Sequence, residues 1–237
     1  MGRAVVIVDN NVVKKGLESA FGLSLFIEHN DNYVVFDTGP TSSVLANNAE
    51  ALNLDLELID GIVVSHAHSD HYGGLSYLGW LSPYTTVYIP FNSWNSVGKL
   101  AKMHGLKPQE VSDWLVPWNG IHISKPINGP PWEHFLILES SRGLIVISGC
   151  MHPGVEKTLD TILKKFPDRR IYGIIGGFHL MNAPMREVEK TVNILIEKYT
   201  VEFIVPLHCS GELFKKLLSR EYPSIYVEAG AGSTIKF

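Results

Sequence analysis

The stretch Ser65-His66-Ala67-His68-Ser69-Asp70-His71-Tyr72-Gly73-Gly74 places three imidazoles and one carboxylate within six residues, His66 to His71. Imidazole nitrogen and carboxylate oxygen are the usual ligands of Zn²⁺ and related divalent ions. In extended backbone His66 and His68 project to the same side, so both can reach one ion. Asp70 has the same parity, and strand geometry alone adds it to that ion. A turn after His68 instead swings Asp70 and His71 onto a second ion. Both arrangements are open at the level of sequence. The plain competitor is a polar turn carrying solvent-exposed histidines.

Working outward, the apolar run Ile62-Val63-Val64 leads into this cluster, and other strand-like runs end in the same way. Val35-Phe36 leads to Asp37, Val146-Ile147-Ser148-Gly149 to Cys150 and His152, Ile174-Ile175-Gly176-Gly177 to His179, and Ile204-Val205-Pro206 to His208. In layered α/β folds, sites form where strand carboxyl ends converge on one sheet edge. The remaining pattern alternates strand and helix. Strands are expected over 4–8, 23–28, 33–36, 59–65, 85–90, 121–124, 134–138, 144–148, 171–175, 203–206, 225–228 and 234–237. Helices are expected over 41–52, 154–166, 185–199 and 211–220, with two more over 93–115 broken at Pro108. A layered α/β protein built as one domain over 1–237 follows.

Composition sets the bounds. The 237 residues are 45% apolar and 19% charged, which is globular rather than disordered. The net charge of −4, with no long Lys/Arg run, gives no support to binding nucleic acid or a membrane surface through bulk charge. No apolar stretch approaches the roughly 18–20 residues that span a bilayer. Met1-Gly2-Arg3 runs straight into a strand-like segment rather than a secretory leader, so a cytoplasmic protein is expected. Two cysteines, Cys150 and Cys209, do not make a disulfide framework. Each stands within two residues of a histidine, which reads either as a small buried thiol or as a thiol beside a metal.

The run His66-Ala67-His68-Ser69-Asp70-His71 resembles the His-x-His-x-Asp-His signature of the metallo-β-lactamase superfamily, and Phe36-Asp37-Thr38-Gly39 resembles its first motif. Within it the chain is similar to the dihydropterin-ribofuranosyl-aminobenzene-phosphate synthase-like metal-dependent hydrolases. That resemblance is carried by Val8-Asp9-Asn10-Asn11, Gly22-Leu23-Ser24-Leu25, Gly149-Cys150-Met151-His152-Pro153-Gly154, Gly176-Gly177-Phe178-His179-Leu180 and Pro206-Leu207-His208-Cys209-Ser210-Gly211, in order along the chain. It implies a four-layer αββα sandwich, with Asp37 supporting the metal site from behind. It implies zinc, one ion or two, with other divalent metals possible. His66, His68 and His152 would hold one ion, and Asp70, His71 and His208 a second.

Typical dinuclear members have a strand ending in Gly-Asp whose aspartate bridges the metals, preceded by another ligand histidine. Here that strand ends in Gly149-Cys150. Either Cys150 faces the metals as thiolate, or it packs and His152 supplies the ligand; His152 is the expected ligand and Cys150 stays open. His134 is the weaker candidate for the missing histidine. His179 has no counterpart among the general ligands and reads as a substrate contact or as a loop histidine packed near the sheet edge. His29, His104, His122 and the five tryptophans lie outside the pattern.

The expected activity is metal-assisted hydrolysis of a small-molecule ester, thioester, lactone or phosphoester, because a bound cation brings the pKa of its water to about 7. Asp70 orients the attacking hydroxide and His179 donates to the developing oxyanion. Two alternatives accompany it: a transferase or synthase acting on a pterin-precursor phosphate, and a metal-dependent binding or sensor module without turnover. No phosphate-cradling Gly-x-x-x-x-Gly-Lys-Ser/Thr run is present.

Overall fold

The structure is a computed structural model that describes residues 2–237; Met1, at which the reading of the N-terminus begins, lies outside the described residues. In chain order its first part contains β1 (Arg3–Val8), β2 (Ser24–His29), β3 (Asn32–Phe36), α1 (Ser42–Ala51), β4 (Gly61–Val63), α2 (Ser69–Tyr72), α3 (Leu75–Leu81), β5 (Thr86–Pro90), α4 (Lys99–Met103) and β6 (Lys107–Val111). Then come β7 (Leu115–Trp118), β8 (Ile121–Ile123), β9 (Ile127–Asn128), β10 (Trp132–Glu133), β11 (Leu136–Ser140), β12 (Gly143–Ser148), α5 (Val155–Lys165), β13 (Ile171–Gly176), α6 (Met185–Asn193), β14 (Phe203–Pro206), α7 (Glu212–Glu221) and β15 (Thr234–Lys236).

Two sheets form. One has the order β15-β1-β2-β3-β4-β5-β6, the other β14-β13-β12-β11-β8-β7, and β9 pairs with β10 in a separate hairpin. Strand alternation explains why they stack. In β1, Ala4 and Val6 join a core shared with Ile123, Leu136, Ile145 and Ile175 of the other sheet, while Val5 and Ile7 face the opposite way, toward Leu45 and Ala49 of α1. In β12, Ile145 and Ile147 face the first sheet, whereas Leu144 and Val146 pack with Leu159 of α5, Val188 of α6 and Phe214 of α7. Because both faces of these strands are covered, they read as unbroken apolar runs. The result is the expected αββα sandwich.

Topology positions the site. β3, β4, β5 and β6 run parallel, as do β12, β13 and β14. Their registers are level at the carboxyl ends, with Phe36 beside Val63, and Ser148, Gly176 and Pro206 in line. The loops carrying Asp37, His66, His152, His179 and His208 therefore leave along one edge. An isolated antiparallel bridge between His66 and Glu133 ties the edges of the two halves together.

Several expectations change. The helical stretch after Ser93 ends at Met103, and Pro108 lies inside β6 instead of between two helices. β6 is the outermost strand of its sheet, where a residue without an N–H is tolerated. Residues 225–228 make one bridge, Tyr226 to Ile204, rather than a strand. The strand expected from His134 starts at Leu136, and that expected from Ile59 covers only Gly61–Val63. Helix α1 starts as expected, with Thr41 Oγ1 accepting the Val44 N–H at 3.4 Å. No helix among the described residues is long and apolar enough to cross a membrane.

Candidate metal centre

On the first sheet's side, the chain turns sharply after β3, with Asp37 at φ 55°. Its buried carboxylate accepts the Ser65 N–H at 2.7 Å and the Ser65 hydroxyl at 2.7 Å, and faces His71 Nδ1 at 2.7 Å. Ser65 has one hydroxyl proton, which goes to Asp37. His66 Nδ1, 2.9 Å from Ser65 Oγ, is then the donor of that pair. Both imidazoles keep a bare Nε2. The backbone enters α2 directly after His68, so the turn left open by the sequence is made. Asp70 thereby leaves the side shared by His66 and His68 and meets His71 and His208.

On the second sheet's side, Glu133 accepts the backbone N–H groups of Cys150, Met151 and His152, each at 2.8 Å, and holds His152 Nδ1 at 2.9 Å. Asp9 accepts the His208 N–H at 2.6 Å, and Asn10 Oδ1 accepts from His208 Nδ1 at 3.0 Å. His152 and His208 are thus also oriented with Nε2 free, the usual arrangement of imidazoles that bind metal.

These free nitrogens converge. His71 Nε2 and His208 Nε2 are 3.2 Å apart, and Asp70 Oδ2 lies 3.5 Å and 3.2 Å from them. His66 Nε2 and His68 Nδ1 are 3.1 Å apart, with the His152 ring centroid 4.5 Å and 5.0 Å from theirs. The ligand atoms of His66, His68 and His152 lie within 4.8 Å of one another, and so do those of Asp70, His71 and His208. With the single proton of each neutral His66, His71, His152 and His208 ring on Nδ1, the lone pairs aimed at one another repel unless a cation stands between them. The donor set therefore fits divalent metal.

Electrostatics agree. Burial, together with the neighbouring imidazoles, pushes the His66 pKa well down and keeps it neutral, the state that binds metal. Without metal, burial opposes charge on both Asp70 and His71, but Asp37 and Asp70 raise the His71 pKa, and a hydrogen bond from His208 with the charge of His71 holds the Asp70 carboxyl at about 2; a proton there stands where a bound cation would. Met151, His179 and His208, like Asp37, are non-glycine residues at positive φ, between 46° and 62°. Such backbone strain gathers at functional sites.

His179 packs against His152, with ring centroids 4.5 Å apart, and opens onto a cavity of about 350 Å³ lined also by Phe21, Met181, Glu187 and Cys209. Cys150 Sγ lies 3.3 Å from His71 Nε2. His134 is not brought in: its ring is buried away from the cluster, with neither nitrogen hydrogen-bonded. Sequence reasoning missed Glu133, Ser65, Asp9 and Asn10. The last two stand in a stretch similar to the family, but nothing there pointed to His208. Glu133 gave no spacing signal at all.

The metallo-beta-lactamase superfamily profile matches residues 20–152, more than half of the chain. The chain belongs to that superfamily. A Methanocaldococcus jannaschii relative, 7,8-dihydropterin-6-methyl-4-(beta-D-ribofuranosyl)-aminobenzene-5'-phosphate synthase, is 25% identical over 92% of this chain and 90% of its own length. Among solved structures, Tm1679, a metal-dependent hydrolase of the beta-lactamase superfamily, superposes with TM-score 0.82 at 25% identity, covering 100% of this chain and 99% of its own. The metallo-beta-lactamase fold protein YhfI from Bacillus subtilis, at 12% identity and TM-score 0.71 with both chains fully covered, shares the fold. The metal-ligand residue types here stand where strands end at the sheet edges, on the following loops and on α2, so chemistry is set by those segments rather than by the sandwich.

Proposed function

We propose that this superfamily member is a metal-dependent hydrolase of a small-molecule ester, thioester, lactone or phosphoester, working in the cytoplasm with zinc as its metal. The reading is carried by one observation: four imidazoles, His66, His71, His152 and His208, each have Nδ1 committed to a neighbouring side chain and Nε2 turned toward a common region. His66, His68 and His152 would hold one ion, and Asp70, His71 and His208 another. A divalent ion in such a site supplies Lewis acidity and makes water available as a nucleophile near neutral pH.

The chain's own groups do the rest. Asp70, kept ionised, accepts a hydrogen bond from water and orients it. His179, on the cavity wall, donates to the oxygen that gains charge; the Cys209 sulfur beside it raises its pKa and favours the protonated ring. The cavity, about 350 Å³, suits a small substrate.

The test is turnover of a panel of esters, lactones and phosphodiesters, with and without chelator. His68→Ala is expected to abolish chelator-sensitive turnover; full activity with stoichiometric metal in that variant overturns the assignment. The name of the Methanocaldococcus jannaschii relative favours a second reading, group transfer involving a phosphorylated pterin precursor. Product analysis separates the two, since hydrolysis incorporates labelled water and transfer does not. Metal binding without any turnover on either panel indicates a binding or sensor module.

A further inference from the structure

Beyond the His/Asp groups, a third set of donors meets beside the same cavity, two of them, His179 and Cys209, in its wall. Cys150 Sγ, Cys209 Sγ and a ring nitrogen of His179 all lie within 4.8 Å of one another. We propose that Cys150, His179 and Cys209 form a separate thiolate–imidazole site for a thiophilic divalent ion such as Zn²⁺.

Geometry carries this. Zn–S bonds of about 2.3 Å and Zn–N bonds of about 2.0 Å place tetrahedral donors roughly 3.5–3.8 Å apart, inside the 4.8 Å that bounds all three donor atoms. Both thiols are free and buried, while His179 is exposed to the cavity, which provides an entry path. The backbone is shaped around the Cys209 sulfur. The His179 N–H points at it from 3.4 Å, and a Cβ at Gly177 would stand 2.6 Å from it as well as against the Gly149 carbonyl. Glycine leaves room for this sulfur and for the Gly149 carbonyl beside it, and an N–H donor directed at sulfur stabilises thiolate. Two thiolates and one imidazole leave a fourth position open toward the cavity.

Coordination replaces both S–H protons, which are released to buffer, and needs no redox partner. Cys150 Sγ also lies 3.3 Å from His71 Nε2, so the same sulfur can bridge this ion to the His/Asp centre. The substrate cavity would then end on an additional Lewis acid, one built from softer ligands than its neighbours.

The proposal goes beyond the hydrolytic reading and changes one part of it: with this ion bound, one His179 nitrogen is a ligand of a neutral ring and only the other N–H is left to donate to substrate. Its test reads out without turnover. Metal-stripped whole protein is titrated with Co²⁺, and thiolate-to-cobalt charge transfer is followed in the near ultraviolet beside the metal count. The wild type is expected to show the band. Cys209→Ser should weaken it and lower the stoichiometry by one ion, whereas His68→Ala should keep the band. A wild type without the band, or Cys209→Ser with band and stoichiometry unchanged, overturns the site. Because Cys209 is buried, zinc X-ray absorption on the wild type provides a check independent of any variant. Because the signal averages over every bound zinc, the shell is multiplied by the metal count: two or more Zn–S bonds of about 2.3 Å per protein molecule support the site; none, or one from Cys150, overturns it.

Discussion

Asp37, at the end of β3, and Glu133, at the end of β10, are both fully buried carboxylates that face an imidazole Nδ1, yet their pKa values move in opposite directions. Burial pushes Asp37 up, and His71 and Ser65 only partly offset it. Burial pushes Glu133 the same way, but His152 and successive backbone N–H groups from Cys150 onward prevail, and it ends below its usual value. Depth is equal, so the difference lies in the donors. Asp37 has one backbone N–H and one hydroxyl besides its histidine; Glu133 has three backbone N–H groups besides its own. Fixed dipoles decide whether a desolvated acid is comfortable as an anion. Glu133 therefore fastens a whole loop, whereas Asp37 chiefly aims side chains.

The sharpest way to break this comparison is to truncate each acid. Glu133→Ala leaves three backbone N–H groups and His152 Nδ1 without their acceptor. It is expected to cost about 3–5 kcal/mol of folding stability, the scale of a broken buried ion pair. Asp37→Ala should cost less. Urea unfolding of the metal-free proteins checks both, and equal losses would mean that the number of dipoles does not distinguish the two sites. Glu133→Gln keeps one acceptor oxygen and should fall between the wild type and Glu133→Ala.

A smaller and more specific effect is expected at Asp37→Asn. The amide preserves volume but loses the charge that favours the Nδ1–H form of His71. Partners of this kind are worth about 10–100-fold in metal affinity. Competition with a chelator should show a loss in that range, with the unfolding midpoint much less affected. An unchanged metal affinity would remove Asp37 from its supporting role.

The two acids also differ in how visible they were. Asp37 stands at the end of an apolar run and two residues before a glycine, in a motif similar to the superfamily's, so its place behind the metal ligands could be expected. Glu133 acts through backbone atoms of Cys150 to His152, and nothing in a sequence marks an acid as the partner of N–H groups some 17–19 residues away. The cluster from His66 to His71 was legible because its donors are local. His152 and His208 were legible because apolar strands end just before them. The turn into α2 was not: His68 to Asp70 fits extended or helical backbone equally, and only packing of α2 against the β2–β3 edge, where the His71 carbonyl accepts the Thr38 N–H at 2.7 Å, selects one. Pro108 misled because proline breaks helices and also sits in edge strands, and which sheet edge is free is a tertiary fact.

His134, next to Glu133, shows what the same hairpin does to an ionisable group given no partner. Its ring is fully buried with neither nitrogen in a well-formed hydrogen bond, and burial, only partly offset by the Val64 backbone and Glu133, lowers its pKa to about 4. The unfolded chain, with an ordinary histidine value near 6.5, binds a proton across the window between these values that the folded chain refuses. Stability therefore rises with pH through that window and is lost as pH falls below about 6.5. At pH 5 the penalty is about 1–2 kcal/mol relative to pH 8. His134→Phe keeps an aromatic ring of similar size and removes the titration. Urea unfolding of both proteins at pH 5 and pH 8 should show the variant losing less stability on acidification by that amount. A difference in the opposite sense would mean that His134 takes up a proton in the folded state, and that a partner for its ring exists in solution.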